Sequence, residues 1–144
     1  MLENKLDNLV RWNRSYIDDI NKGGCGRFAL YLHRHLRQLG VHTKILCVDS
    51  WEKIPPKRQK LMNFQGDSFS HVMLVLYQPN GKSLYIDGHN IYNKFPSRWS
   101  LDDYNFGYLT YEQLSIAVGL GRWNSTYSKA DDRKVINAIK RFVN

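Results

Sequence analysis

The spacing of apolar residues along the chain predicts three amphipathic helices. Apolar side chains recur at three- and four-residue intervals over residues 3–20 and again over 25–39, where Gly40 ends the second run. The third helix begins at Ser128, a good N-cap residue, and Asp131 follows three positions later, where its carboxylate can complete a capping box. Each helix therefore has one face to bury against another layer of structure.

Residues between these helices have strand character. Strands rich in β-branched and aromatic residues are predicted in three runs, 41–51, 69–77 and 83–88. Residues 105–121 indicate a short strand followed by a helix, whereas the proline-containing segment 52–68 and the aromatic segment 89–104 read as irregular. The order of the elements favours an α+β fold in which helices pack on a small antiparallel β-sheet.

Composition narrows the class of protein. With 144 residues, 42% apolar content and no internal repeat, the chain predicts a single domain, 1–144, with its own hydrophobic core. No apolar run is long enough to span a membrane and the N-terminus lacks the apolar core of a signal peptide, so we expect a soluble cytoplasmic protein without a membrane partner. The net charge of +8 favours acidic or polyanionic partners.

The predicted second helix has two contrasting faces. At about 100° per residue, one face carries Cys25, Phe28, Ala29, Leu32, Leu36 and Leu39. The opposite face carries Arg27, Arg34 and Arg37. Cys25 is therefore the first residue of the buried face, at the mouth of the helix.

Cys25 is set in the segment NKGGCGRFA, with Gly24 and Gly26 on either side. A thiol at a helix N-terminus feels the positive end of the helix dipole, which favours the thiolate, and the unpaired N–H groups of the first turn can bind an oxyanion. Flanking glycines allow a substrate backbone to approach closely. These features suit a nucleophilic cysteine, although a tight interhelix turn with a core cysteine would explain the segment equally well.

The second cysteine has a different setting. Cys47 lies in the β-rich run TKILCV and is expected to be a small buried hydrophobe. Two cysteines are too few for a disulfide scaffold, so we expect both to be reduced.

A thiolate nucleophile needs a general base, and the predicted topology leaves two histidines that can reach Cys25, His71 and His89. The other three lie along the second helix or beyond its far end: His33, His35 and His42. His71 opens the apolar run HVMLVL at the rim of the sheet, and Asp87 ends the next strand in LYIDGHN. Taken singly, these are an edge histidine and a turn-forming aspartate.

The turn sequence YQPNGKS decides whether His71 and Asp87 meet. A two-residue NG turn would place them on opposite faces of the sheet. A three-residue PNG loop pairs Met73 with Asp87 and places His71 on the same face, one diagonal away. Proline suits the first central position of a type I turn and Gly81 suits the left-handed bulge that follows, so the turn chemistry predicts the register in which the two side chains can bond.

The combined pattern resembles the papain-like superfamily in its broad sense, which includes transglutaminase-like and NlpC/P60-like thiol enzymes. The matching segments are GGCGRFA, SHVMLV and LYIDGHN, within residues 21–90. The resemblance implies a papain-like core, with the cysteine-bearing helix packed on the sheet. It also implies a catalytic triad in which Cys25 attacks an acyl carbon, His71 moves the proton and Asp87 holds the imidazole tautomer.

The same resemblance implies an oxyanion and substrate-binding region around Asn21, Gly24 and Gly26. The backbone N–H of Cys25 and the side chain of Asn21, the nearest upstream amide, would receive the oxyanion. Asn124, in the segment RWNS, competes with the acidic residue for the orienting role.

The predicted function is a cysteine-dependent hydrolase or acyltransferase, of peptidase or deamidase type, that acts on an amide, isopeptide or related acyl bond of a protein or peptide-like substrate. No cofactor and no metal are expected. Peptidases, isopeptidases, deamidases and acyltransferases share this triad, so the residues do not choose between water and an amine as the acceptor.

Two other functions compete. The helix-face arginines, a basic cluster in 52–68 and further cations near the C-terminus could make a non-catalytic module that binds nucleic acid or an acidic protein, or they could simply be solvated. Cys25, His71 and His89 could instead hold zinc, but the chain has no paired-ligand spacing such as Cys-x-x-Cys.

Overall fold

A computed structural model describes residues 1–18, 20, 21, 24–50, 71–97, 99, 104–120 and 127–144. These residues form four helices and five strands: α1 (Leu2–Tyr16), α2 (Cys25–Gln38), β1 (Thr43–Ser50), β2 (His71–Tyr77), β3 (Ser83–Ile86), β4 (Ile91–Tyr92), β5 (Tyr104–Leu109), α3 (Tyr111–Leu120) and α4 (Lys129–Phe142). The α+β prediction is confirmed. No helix in these ranges combines the length and the apolar character needed to cross a bilayer.

The five strands form one antiparallel sheet in the order β4-β3-β2-β1-β5. Alternate side chains of the central strands enter two apolar clusters on opposite faces. The larger cluster joins the sheet to α1, α2 and α4, and includes Cys47, Val72 and Leu74. The smaller one, on the other face, is built on Leu46, Met73 and Val75. Both faces of β2 are therefore covered, which explains its uninterrupted apolar run.

The helices follow the hydrophobic pattern with small differences at their ends. α1 ends at Tyr16 instead of continuing to residue 20, and the Tyr16 side chain is exposed. α2 ends at Gln38, so Leu39 is exposed and does not extend the buried face. The capping box at Ser128 is present in α4 and confirms that prediction.

A short strand, β4, and the two cysteines complete the comparison of the fold with the sequence pattern. β4 lies in a segment for which the sequence indicated only irregular structure, because a two-residue strand carries no period to detect. Cys47 is buried in the larger cluster as expected, and neither cysteine forms a disulfide. The expected loop at 52–68 lies outside the described residues.

Candidate active site

The β2–β3 hairpin has the predicted register. Leu74 pairs with Ile86 and Leu76 with Leu84, which is the pairing of a three-residue loop. The Gly81 N–H donates to the Gln78 carbonyl at 3.0 Å, and Gly81 has φ 83°, so glycine occupies the left-handed position that closes the loop. The hairpin thereby brings the first residue of β2 and the residue after β3 to one face of the sheet.

His71 and Asp87 form a buried hydrogen-bonded pair on that face. His71 Nε2 lies 3.0 Å from Asp87 Oδ2, and the two residues are 2% and 1% exposed. The register prediction and the expected histidine–aspartate contact are both confirmed. Because Nε2 is engaged with the carboxylate, Nδ1 is the ring nitrogen that remains for another partner.

Cys25 is close enough to His71 to influence its charge state. Interactions with the thiol are among the causes that raise the pKa of the imidazole. Cys25 is only 6% exposed, yet it belongs to neither apolar cluster of the described residues. This setting differs from that of Cys47, which is enclosed by the core. The first residue of α2 therefore faces a titratable group instead of serving as core packing.

The charge state of His71 follows from two opposed effects. Burial favours the neutral ring and lowers its pKa, but the hydrogen bond to Asp87 and the interactions with Cys25 and the Asp87 charge outweigh burial and raise the pKa to about 9. His71 is therefore an imidazolium at neutral pH, with the proton that a general acid needs.

Asp87 is held in its ionised form. Burial raises its pKa, but the hydrogen bond and charge of His71, the His89 N–H and the Asn21 side chain together bring the pKa below its usual range. Its Oδ1 accepts the backbone N–H groups of His89 and Asn90, both at 2.9 Å. The carboxylate is thus anchored on one oxygen by its own turn and presents the other to the imidazole.

The pH dependence of stability should report this pair directly. The folded-state pKa of His71 is raised from 6.5 to about 9, so its stabilisation is complete below about pH 6.5 and is lost as the pH rises through about 9. Asp87 has the opposite sign: its contribution is present above the ordinary carboxyl range and is lost as the pH falls through its lowered pKa. Denaturant unfolding between pH 6 and 10 should show a decline on the order of 3 kcal/mol.

The matched control for that measurement is His71→Gln, which keeps a donor for Asp87 but does not titrate. The difference between the pH profiles of wild type and His71→Gln gives the contribution of His71 to the free energy of unfolding, separate from the titration of other groups. Parallel profiles for wild type and variant would contradict a raised pKa at this position.

Asn21 lies at Asp87. Its Oδ1 accepts the Gly88 N–H at 3.3 Å, and its side chain also bonds the Asp87 carboxylate. Asn13 acts on the same segment, because its Nδ2 donates to the Gly88 carbonyl at 2.8 Å. The side-chain amides of Asn13 and Asn21 therefore bond the carbonyl and the N–H of Gly88, the residue after the aspartate. The structure thus places Asn21 against the segment that holds Asp87, and its expected oxyanion role stays a prediction.

Gly24 is enclosed by the protein itself. A Cβ on Gly24 would lie 2.5 Å from the Tyr127 ring and 2.7 Å from the Ile20 carbonyl oxygen. The space beside this glycine is thus filled by the chain and is not open to a substrate, contrary to the expectation from sequence. Gly26 is buried in the first turn of α2.

Tyr127 packs against Gly24 at the start of α2 and is held in place by its own contacts. It is fully buried, and its hydroxyl donates to Asp132 Oδ1 at 2.8 Å. Burial and the bond to Asp132 both raise the pKa of Tyr127, so the hydroxyl stays a neutral donor. Tyr31 of α2 donates to the other carboxylate oxygen at 2.6 Å. Asp132 of α4 therefore links Tyr127 to α2 through its two carboxylate oxygens.

Gly88 makes a comparable close contact beside Asp87. A Cβ on Gly88 would lie 2.6, 2.8 and 3.0 Å from three carbons of the Ile20 side chain. We expect Gly88→Ala to lower the free energy of unfolding by about 1–3 kcal/mol, because Ile20 is fully buried and has little room to move. Denaturant unfolding of the purified variant measures this.

A double-mutant cycle identifies the cause of that loss. Ile20→Ala removes all three carbons, so Gly88→Ala should cost at least about 1 kcal/mol less in the Ile20→Ala background. Strictly additive losses would show that the damage arises elsewhere than at the Ile20–Gly88 contact.

Trp99 covers the histidine and was not assigned to the site from the sequence. Its ring lies parallel to His71, with centroids 5.1 Å apart and an interplanar angle of 14°. The backbone N–H of Trp99 donates to the Pro96 carbonyl at 3.1 Å. This bond joins Trp99 to residues 91–97, which line an open cavity of about 660 Å³. Residues 91–97 and Trp99, from the segment read as irregular in the sequence, therefore lie next to the pair.

The remaining candidates are not drawn into this arrangement. A His89 ring nitrogen lies 2.8 Å from the Ile17 carbonyl oxygen, which makes it a structural contact between the 87–90 turn and the end of α1. Within the described ranges, no three or more His, Cys, Asp and Glu side chains are grouped so as to hold a metal ion. Asn124, the competing orienter, lies outside the described residues.

Comparison with protein-family models, with curated proteins and with solved structures gives no match. The site is therefore defined by its own geometry. That geometry is a thiol at a helix N-terminus, a buried imidazolium on a strand end, and an anchored carboxylate after the neighbouring strand.

Proposed function

We propose that this protein is a cysteine-dependent hydrolase or acyltransferase that acts on an amide, isopeptide or related acyl bond. Cys25 is the nucleophile, His71 the general acid and base, and Asp87 the orienting carboxylate. The observation that carries the proposal is the position of His71, whose ring bonds a buried carboxylate and whose pKa is also raised by interaction with the Cys25 thiol. A histidine with only a structural role has no need of the second interaction.

The proton inventory supports catalysis at neutral pH. In the reactive form His71 already carries the proton that Cys25 Sγ has given up, and the thiolate attacks the acyl carbon to form a tetrahedral intermediate. His71 then returns the proton to the leaving amine as the bond to that amine breaks, which leaves a thioester on Cys25. A second acceptor, water or an amine, gives up a proton to His71, attacks the thioester and releases the thiol.

Asp87 contributes by fixing the imidazole. Its Oδ2 accepts a hydrogen bond from the Nε2–H group and holds that proton in place. Nδ1 is therefore the only ring position that gains and loses a proton during the reaction. The carboxylate also stabilises the imidazolium that forms, as the raised pKa of His71 indicates. Asn21 and Asn13 hold the Asp87–Gly88 peptide, and they are positioning residues in this scheme.

The oxyanion is assigned to the N-terminus of α2. The first-turn N–H groups of a helix lack carbonyl partners within the helix and carry the positive end of its dipole. The Cys25 N–H belongs to this turn, next to the thiol. Because Asn21 is bonded at Asp87, the backbone is left as the donor in our assignment.

The arrangement also supports a papain-like core as the finer description of the fold. α2 begins with the cysteine and packs on β1 and β2 of an antiparallel sheet, and the histidine and acid follow on adjacent strands. The order cysteine, histidine, aspartate along the chain agrees with the resemblance noted from the sequence. A protein or peptide-like acyl group is the substrate class that this chemistry takes.

Acyl-enzyme trapping tests the proposal without knowledge of the natural substrate. Incubation with the activated ester p-nitrophenyl acetate should acetylate Cys25, and peptide mass spectrometry should locate the group as a hydroxylamine-sensitive thioester. Cys25→Ala should abolish the label, and Cys47→Ala should retain it. Acetylation confined to lysines, or equal in Cys25→Ala and wild type, would contradict the proposal.

A further inference from the structure

The outward face of α2 carries unneutralised positive charge. The helix contains no acidic residue, and Arg34 and Arg37 are exposed on the side away from the sheet. Lys140 of α4 is exposed beside them. Within the described part of the chain, none of these three cations forms an ion pair with a carboxylate. Like charges three residues apart on a helix repel each other, so this face costs stability when nothing is bound.

The nearby acidic groups are already engaged. Asp131 closes the capping box of α4, and Asp132 accepts hydrogen bonds from the Tyr31 and Tyr127 hydroxyls. Glu112, the one carboxylate of α3, contributes its charge to His33. None of these carboxylates lines the cavities beside Arg34, Arg37 and Lys140, so the charge that faces those cavities is positive.

These cations line a continuous groove. A cavity of about 460 Å³ between α2 and α4 and an adjoining cavity of about 430 Å³ beside α3 share Arg34 and Gln38 as lining residues. We call the combined feature the basic groove, defined by Tyr31, Arg34, Arg37, Gln38, Tyr111 and Lys140. Arg34 extends over the Tyr31 ring, with its guanidinium carbon 5.5 Å from the ring centroid.

We propose that the basic groove binds single-stranded nucleic acid. Two observations favour this partner over an acidic peptide. The cations are unpaired, with Arg34 and Arg37 on α2 and Lys140 on the α4 wall, which suits a chain of phosphates, and the tyrosines Tyr31 and Tyr111 also line the groove. Arg34 covers one face of the Tyr31 ring and His33 one face of the Tyr111 ring, so a base stacks on the Arg34 guanidinium or on the other face of a ring. A glutamate-rich peptide would use the cations but has no planar group for the rings.

The groove is independent of the proposed catalytic site. Cys25 and Arg34 are nine residues apart on α2, which places them on opposite sides of the helix. Binding in the groove needs none of Cys25, His71 and Asp87. Failure of either proposal therefore leaves the other intact.

Fluorescence anisotropy with a labelled single-stranded thymidine 12-mer tests the proposal. The groove variant Arg34→Glu/Arg37→Glu is compared with the control Lys82→Glu/Lys134→Glu, which changes exposed cations outside the groove and lowers the net charge by the same amount. We expect the groove variant to bind at least about 10-fold more weakly, and the control less than about 3-fold more weakly. The salt dependence of log K should also become shallower by about 1.4 in the groove variant, since two phosphate contacts are lost.

A neutral variant and a competitor complete the test. Lys140→Gln, on the other wall of the groove, should also weaken binding while Tm and the alkylation rate of Cys25 stay as in wild type. Equal losses in groove and control variants would show diffuse charge attraction and overturn the proposal. Displacement of the 12-mer by a polyglutamate 12-mer as readily as by unlabelled oligonucleotide would also overturn it and assign the groove to an acidic protein.

Discussion

Asp87→Asn should reduce acyl transfer by about 10³- to 10⁴-fold while leaving the fold intact. Asparagine keeps an oxygen for the His89 and Asn90 N–H groups, so the turn after β3 retains its hydrogen bonds. The atom facing His71 Nε2 becomes an NH₂ donor, however, and can bond the ring only if Nε2 is unprotonated. The proton is then confined to Nδ1, the position that must accept the proton of Cys25.

The same substitution should change the titration of His71. Without the carboxylate, burial is opposed only by Cys25, so the pKa of His71 should fall from about 9 by at least two units. An NMR titration of the His71 ring measures this fall, and single-turnover acetylation measures the loss of rate. A variant that loses the rate while His71 still titrates near pH 9 would contradict the proposed role of the aspartate.

The stability cost of Asp87→Asn should be about 3 kcal/mol at pH 7. This is the lower end of the range for a buried pair that loses one partner, because His71 can release its proton. Asp7→Asn is a matched control, since Asp7 pairs with Arg11 at 2.8 Å on the exposed surface of α1. The control should cost no more than about 0.5 kcal/mol, because solvent already screens that pair. Equal costs would contradict a buried ion pair at Asp87.

The sequence was most informative where local chemistry decides geometry. The PNG loop determines the β2–β3 register, and that register places His71 and Asp87 on one face before any long-range contact is considered. The capping box at Ser128 and the two faces of α2 are local in the same sense. Each depends on residues a few positions apart, whose interaction is a property of the backbone conformation.

The supporting contacts were not predictable, because they join distant parts of the chain. Asn13 reaches Gly88 across 75 residues, and Trp99 reaches His71 from a segment without regular period. Gly24 illustrates the difficulty well. Its lack of a side chain suggested access for a substrate, whereas the structure fills the space with Tyr127, whose place depends on Asp132 of α4. Only the tertiary packing distinguishes these two uses of glycine.

The central claim is that His71 activates Cys25, and the alkylation rate of Cys25 tests it most directly. An unassisted cysteine, with a pKa of about 8.5, is only about 1% thiolate at pH 6.5. His71→Gln removes the imidazolium but keeps a donor for Asp87, so iodoacetamide should alkylate Cys25 roughly 10- to 100-fold more slowly in this variant at pH 6.5. Cys47→Ala serves as the common background.

His33→Gln is the control, because His33 is a partly buried histidine that bonds Thr43 and has no contact with Cys25. If the account is correct, the His33 variant alkylates at the wild-type rate and the His71 variant is slow, with the difference disappearing above about pH 9.5. Equal rates in wild type, His71→Gln and His33→Gln between pH 6 and 8 would contradict it, since the thiol would then react without help from the buried histidine.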